Sequence, residues 1–194
     1  MPSELPTNTP VPPQVVDAAL HHWGDSGRQS TFTVSGRSME PCLFAGDRLL
    51  IRHGRENIHI GGLIAYRQDD TLVVHRLLRI FTLRGERVML LRGDNNDRPD
   101  PLIPIDKLVG RATAVMREDR IYRIDTPLWR GASLLIALLA RFPVTLEQWL
   151  GRMRRRWFPD RHAAAPTRVI VRAFALPGHF LIRLLWKLSP YDPL

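Results

Sequence analysis

The sequence predicts a mainly β domain followed by a basic helical region. Three observations carry that expectation. Between residues 31 and 124, short runs rich in Val, Ile, Leu, Thr and Phe alternate with groups of turn formers. After Thr126-Pro127 the apolar residues switch to a helical period. The charge divides at the same place. Residues 1–110 carry 13 basic and 13 acidic side chains, whereas residues 111–194 carry 15 and 6, so the net charge of +9 belongs to the second part.

The elements follow in order. Residues 1–13 read as a tail, with prolines at 2, 6, 10, 12 and 13. Residues 14–23 fit a short helix with Val15, Ala18, Ala19 and Trp23 on one face, stopped by Gly24 and Gly27. Strands are expected at 31–35, 48–52, 62–67, 71–81, 87–92, 108–116 and 120–124. The turns between them include Ala45-Gly46-Asp47, Gly61-Gly62, Gln68-Asp69-Asp70, Arg84-Gly85-Glu86 and Asp94-Asn95-Asn96-Asp97. Many short strands with turns between them suggest a small barrel or a folded sheet. Helical spacing covers 128–141, 145–157 and 168–188, with Pro143, Pro159, Pro166 and Pro177 as breaks. The expected division is therefore a tail and short helix (1–27), a β domain (28–125) and a basic helical C-terminal region (126–194).

Composition narrows the chemistry. At 44% hydrophobic and 24% charged residues the chain is globular rather than disordered. A single cysteine, Cys42, excludes a disulfide framework and a cysteine-only zinc site. It reads as a small buried side chain. His21-His22, His53 and His59 lack partners at ligand spacing, so neither metal nor cofactor is expected. Of the 28 basic residues only Lys107 and Lys187 are lysines. No secretory signal is visible in residues 1–13, and no apolar run reaches the roughly 18–20 residues of a spanning helix. A cytoplasmic protein, or one bound peripherally at the inner membrane face, is the expectation. The run Arg152-Met153-Arg154-Arg155-Arg156-Trp157, with Trp149 and Phe158 nearby, favours an anionic membrane surface over nucleic acid as the contact.

Three segments carry the chemistry. They are Gly36-Arg37-Ser38-Met39-Glu40-Pro41 with Gly46-Asp47, then Val73-Val74-His75-Arg76, then Gly93-Asp94-Asn95-Asn96 followed by Asp97, Pro99 and Asp100. Each alone reads as a turn or an ordinary strand histidine. Together, in this order and spacing and closed by Val109-Gly110-Arg111, they resemble the signal peptidase I family across residues 34–111. The match is to its S-M-x-P box with a following G-D, its base-bearing strand and its G-D-N box. The resemblance implies a mainly β peptidase fold, shared with LexA-like peptidases, and a serine endopeptidase that removes a leader or signal peptide from a precursor.

Within that family one style uses a lysine base and the endoplasmic-reticulum and archaeal style a histidine. Val74-His75-Arg76-Leu77 matches the histidine style, and no lysine precedes Lys107. A serine hydroxyl needs a positioned base. The resemblance makes Ser38 the nucleophile and His75 its base and later acid. The third member is the aspartate six residues past the G-D aspartate, which is Asp100. Asp94 is the second choice and Asp97 the third. The oxyanion would be held by the Ser38 backbone N–H, with Gly36, Met39 and Pro41 completing the substrate loop. Some relatives place a serine hydroxyl two residues upstream of the nucleophile. Gly36 stands there, so a backbone group or the nearby Ser35 must serve instead. The family implies small residues before the cut, held in shallow apolar pockets. The family's N-terminal membrane anchor is not apparent, which points to a leader peptide as substrate or to docking through the arginine-rich helices. A LexA-like repressor is disfavoured by the short N-terminal segment and the missing lysine. Two other readings stand beside the enzyme: a non-catalytic peptide-binding module of the same fold, and a basic surface-docking protein with a β scaffold.

Overall fold

The computed structural model describes residues 28–69, 71–141 and 167–193. The helices expected over 14–23 and 145–157, and the arginine run 152–156, lie outside the described residues.

The described chain is built on one antiparallel sheet with two helices packed against it. The strands are β1 (Gln29–Thr33), β2 (Arg48–His53), β3 (Leu63–Gln68), β4 (Thr71–Leu83), β5 (Glu86–Arg92), β6 (Ile103–Pro104), β7 (Leu108–Arg117), β8 (Arg120–Arg123) and β9 (Tyr191–Pro193). They lie in the order β1-β2-β7-β3-β4-β5-β6, with β8 joining β7 and β9 joining β8. The sheet is folded and stays open, with β1 and β6 at the ends of this order and β9 at the end of the side branch, so of the two forms expected it is not the barrel. Helix α1 spans 127–141 and helix α2 spans Thr167–Leu188.

Period-two patterning explains the strands. In β2, Leu49, Ile51 and His53 are buried while Arg48 and Arg52 face solvent. In β4 the first half pairs with β3 and the second half with β5, and a register shift lies between Leu77 and Arg79. Arg76 is the first residue with partners on both sides, Leu63 and Arg92. Among the described residues, 71–75 therefore have one free edge.

Among the described residues, the two larger of three hydrophobic clusters make most of the core. The larger joins Met39, Cys42, Leu43, Leu49, Ile51 and Val115 of the β region to Trp129, Ile136, Ile182 and Leu185 of the helices. The other packs Ile64, Tyr66, Leu77, Met89 and Leu91. Each fully buried Leu or Ile contributes about 1.5–3 kcal/mol. The helices thus share the core of the sheet. Trp129 Nε1 donates to Ser189 Oγ at 2.7 Å, and that hydroxyl donates to Leu185 O at 2.6 Å.

Pro177, expected to break the last helix, lies inside α2. A proline there removes one N–H and crowds the preceding turn. Packing outweighs that cost: Gly178, Ile182 and Leu185 are buried, and a Cβ on Gly178 would lie only 3.7 Å from Ile136 Cγ2. Strands β6 and β9, of two and three residues, are additions to the expected set.

Candidate active site

The site sits where the loop after β1, the centre of β4 and the loop after β5 meet. Met39, 2% exposed, anchors the first loop in the main core. Asp47 closes that loop: it takes the Phe44 N–H at 2.8 Å and a two-pronged ion pair from Arg117 at 2.8 and 2.6 Å. Gly46 makes the return turn at φ +95°, a conformation that L side chains rarely adopt. Glu40 and Pro41 are joined by a cis peptide bond.

The loop after β5 braces the first one. Asn95 N–H donates to Ser38 O at 2.8 Å, and Asn95 Nδ2 donates to Arg37 O at 3.1 Å. The approach is close enough to require glycine at 93, since a Cβ there would fall 2.5 Å from Ser38 O. Asp100 N–H is tied to Leu91 O at 2.9 Å, which holds the later part of the segment to β5.

Three side chains meet in a line. Ser38 Oγ lies 3.0 Å from His75 Nε2, and His75 Nδ1 lies 2.6 Å from Asp100 Oδ2. The imidazole is buried and the serine is half-exposed at the mouth. A carboxylate on Nδ1 fixes the tautomer that leaves Nε2 free to accept the serine proton.

Tyr66, which sequence reasoning does not single out, completes this cluster. Its hydroxyl donates to Asp100 Oδ2 at 3.0 Å and lies 3.3 Å from His75 Nδ1. Burial, then the charge and hydrogen bond of Asp100, push the phenol above its usual range, so it remains a donor. The only sequence signal for it is a tyrosine inside the apolar strand next to the histidine strand.

Asp94 stands elsewhere. Its carboxylate faces Arg76, whose Nε and Nη2 reach it at 2.7 and 2.6 Å. Arg76 also donates to Gly61 O at 2.8 Å and to Cys42 Sγ at 3.5 Å. Burial opposes the Arg76 charge, and the Asp94 carboxylate outweighs it, so the guanidinium is held protonated. Residues 75 and 76 point to opposite faces of β4, as neighbours in a strand must. His75 faces the serine, and Arg76 enters the interior. Asp97 is half-buried on the turn. Cys42 is 1% exposed, and burial pushes its thiol up to about 12. His53 is buried against Ser30 Oγ, and His59 Nδ1 donates to Asn57 O at 3.1 Å. Among the described residues no three His, Cys, Asp or Glu side chains gather as a metal site.

A cleft of about 330 Å³ opens beside Ser38. Its walls include Phe32, Val34, Gly36, Met39, Leu72 and Val74, with Ser35 also on the rim. Pro41 lies outside it. The cleft runs between the outer side of β1 and the free edge of residues 71–75. A side chain at 36 would meet nothing within 4 Å, so this wall is open.

Comparison with known proteins agrees with this architecture. Residues 4–113 match the family described as Peptidase S24-like. The catalytic subunit SEC11 of the signal peptidase complex from Yarrowia lipolytica (strain CLIB 122 / E 150) is 28% identical over 111 residues. That alignment covers 46% of this chain and 64% of the relative, so the chain spans somewhat less than two thirds of the relative's length. The family match takes in more than half of the chain, including Ser38, His75 and Asp100, and the chain belongs to the Peptidase S24-like family as a signal peptidase I-like member.

Proposed function

We propose that the protein is a serine endopeptidase that removes a leader or signal peptide from a precursor, with Ser38 as nucleophile, His75 as base and acid, and Asp100 as the group that orients His75. The observation that carries this reading is the line from Ser38 Oγ through His75 to Asp100, with contacts of 3.0 and 2.6 Å. Ser38 Oγ adds to the scissile carbonyl as its proton passes to His75 Nε2. The tetrahedral oxyanion turns toward the Ser38 N–H, and such a donor supplies roughly 2.7–4 kcal/mol elsewhere. His75 then protonates the leaving amine. Water attacks the acyl-enzyme by the same route reversed.

The substrate enters as an extended strand. Among the described residues both walls of the cleft carry free strand edges, so a peptide gains main-chain hydrogen bonds there and sets alternate side chains into the sheet. Phe32, Val34, Leu72 and Val74 line the cleft with apolar groups, in keeping with the small residues that the family expectation places before the cut. Residues 28–125 form the catalytic part in this reading and 126–194 the docking part, with peripheral contact to an anionic membrane surface at the inner face. Among the described residues no helix is long and apolar enough to cross a membrane.

Cleavage of candidate leader and signal peptides by the wild type, Ser38→Ala and His75→Ala tests the proposal. Loss of cleavage in both variants, with binding retained, is expected. Undiminished cleavage in both refutes the mechanism, and binding without cleavage in the wild type would leave a peptide-binding module.

A further inference from the structure

The two helices carry an exposed apolar face that no core cluster of the described residues uses. On α2, Leu176, Phe180, Leu184 and Leu188 recur every four residues at 67, 71, 40 and 62% exposure. Residues four apart lie on one side of a helix. On α1, Leu128, Leu134, Leu135 and Leu138 are 42–55% exposed. The opposite faces are spent on the core: Trp129, Ile136 and Ala140 on α1, Ile182 and Leu185 on α2. The helices are neighbours, meeting where Gly178 faces Ile136. Scattered surface leucines need no explanation, but eight large ones on two adjacent helices do.

The charge identifies the partner. Neither helix contains an aspartate or glutamate, while α1 carries Arg130 and Arg141 and the described side chains of α2 include Arg183 and Lys187. Arg183 and Lys187 are exposed beside Leu184 and Leu188. Apolar side chains bordered by cations, with no anions among them, suit an interface of acyl chains and acidic headgroups. A second copy of the chain would bring the same positive charge to the same face and be repelled.

We propose that this face, centred on Leu176, Phe180, Leu184 and Leu188 with Arg183 and Lys187, is the surface by which the protein lies on an anionic lipid bilayer. The inference deepens the membrane contact within the reading above but does not depend on the chemistry of Ser38. The face is also fixed to the site. His179, next to Phe180 in the chain, donates from Nε2 to Asp94 O at 3.2 Å, one residue from the Asn95 that holds Ser38 O.

The test is cosedimentation of the full chain with phosphatidylcholine vesicles, with and without phosphatidylglycerol, at low and high salt. Leu176→Ser/Phe180→Ser and Arg183→Glu/Lys187→Glu are the variants, and melting curves confirm that they fold. Binding to the phosphatidylglycerol vesicles alone is expected, falling about tenfold or more in each variant. High salt should release the wild type and change the charge-reversed variant little. Wild-type affinity in both variants, equal binding to neutral vesicles, or no binding would overturn the proposal. So would a dimer in light scattering that the serine variant dissociates, since the face would then join two copies. Cleavage of a soluble peptide, measured in parallel, reports on Ser38 alone, so either proposal can fail without the other.

Discussion

Asp94 and Asp100 lie six residues apart, and the structure gives them different partners. In Asp94→Asn, Arg76 keeps its charge in a site where its side chain is 1% exposed. The amide offers one acceptor where two oxygens stood, and its NH2 is set against a guanidinium N–H. Breaking a buried pair by removing one partner costs about 3–5 kcal/mol. For a chain of this size that lowers the melting temperature by roughly 10 °C. Asp100→Asn should leave the melting curve within about 1 kcal/mol, because its partners are a neutral phenol and an imidazole. Its effect falls on cleavage. The amide presents the wrong partner to Nδ1, and an equivalent change in a serine triad lowers kcat by about 10⁴. Thermal melts and peptide cleavage on both variants give the comparison. A third variant, Asp94→Leu/Arg76→Met, should be more stable than Asp94→Asn because no charge is stranded. If Asp94→Asn loses cleavage at an unchanged melting temperature while Asp100→Asn cleaves normally, the assignment of the two carboxylates is wrong.

Three further outcomes follow from the same geometry. Tyr66→Phe removes one hydrogen bond to Asp100 and no volume, so kcat should fall about fivefold with little change in KM; an unaltered kcat would show that the hydroxyl takes no part. Cys42, with its thiol raised to about 12, should resist iodoacetamide in the folded protein at pH 8 and react once the chain is unfolded, as mass spectrometry of the adduct would show. Burial holds His53 below its usual range, so the unfolded chain binds the extra proton first. Its contribution should therefore be complete above about pH 6.5 and decline as the pH falls below that value. Denaturant titrations of wild type and His53→Gln should diverge in this window, and parallel curves would remove His53 from the account.

How much of this was legible in the sequence depends on the range of the interaction. The seven longer strands follow from alternation, and their observed limits differ from the expected ones by about two residues at most. Strands β6 and β9 are too short to show a period. Helix α2 passes through Pro177 because tertiary burial of Gly178 and Ile182 outweighs a local rule. The motifs placed Ser38, His75 and the carboxylates on loops and strands, and folding brings Ser38, His75 and Asp100 within hydrogen-bonding distance. What spacing cannot show is which carboxylate meets which cation, since Arg76 and Asp94 find each other only through the pairing of β4 with β5. Tyr66 was hidden for the same reason: its role depends on what lies across the sheet.

The shared core of sheet and helices has a consequence for cooperativity. Trp129, Ile136, Ile182 and Leu185 are packed with Leu43, Leu49, Leu63 and Val115 in one cluster, and β9 ties the chain after α2 back to β8. The parts should therefore melt together in a single transition. Cutting the chain at residue 126 would strip one wall from the core, so a truncated protein that fails to reach a membrane would be reporting its own unfolding. Substitutions confined to the outer faces of α1 and α2 leave that wall standing, and they alone separate attachment from integrity.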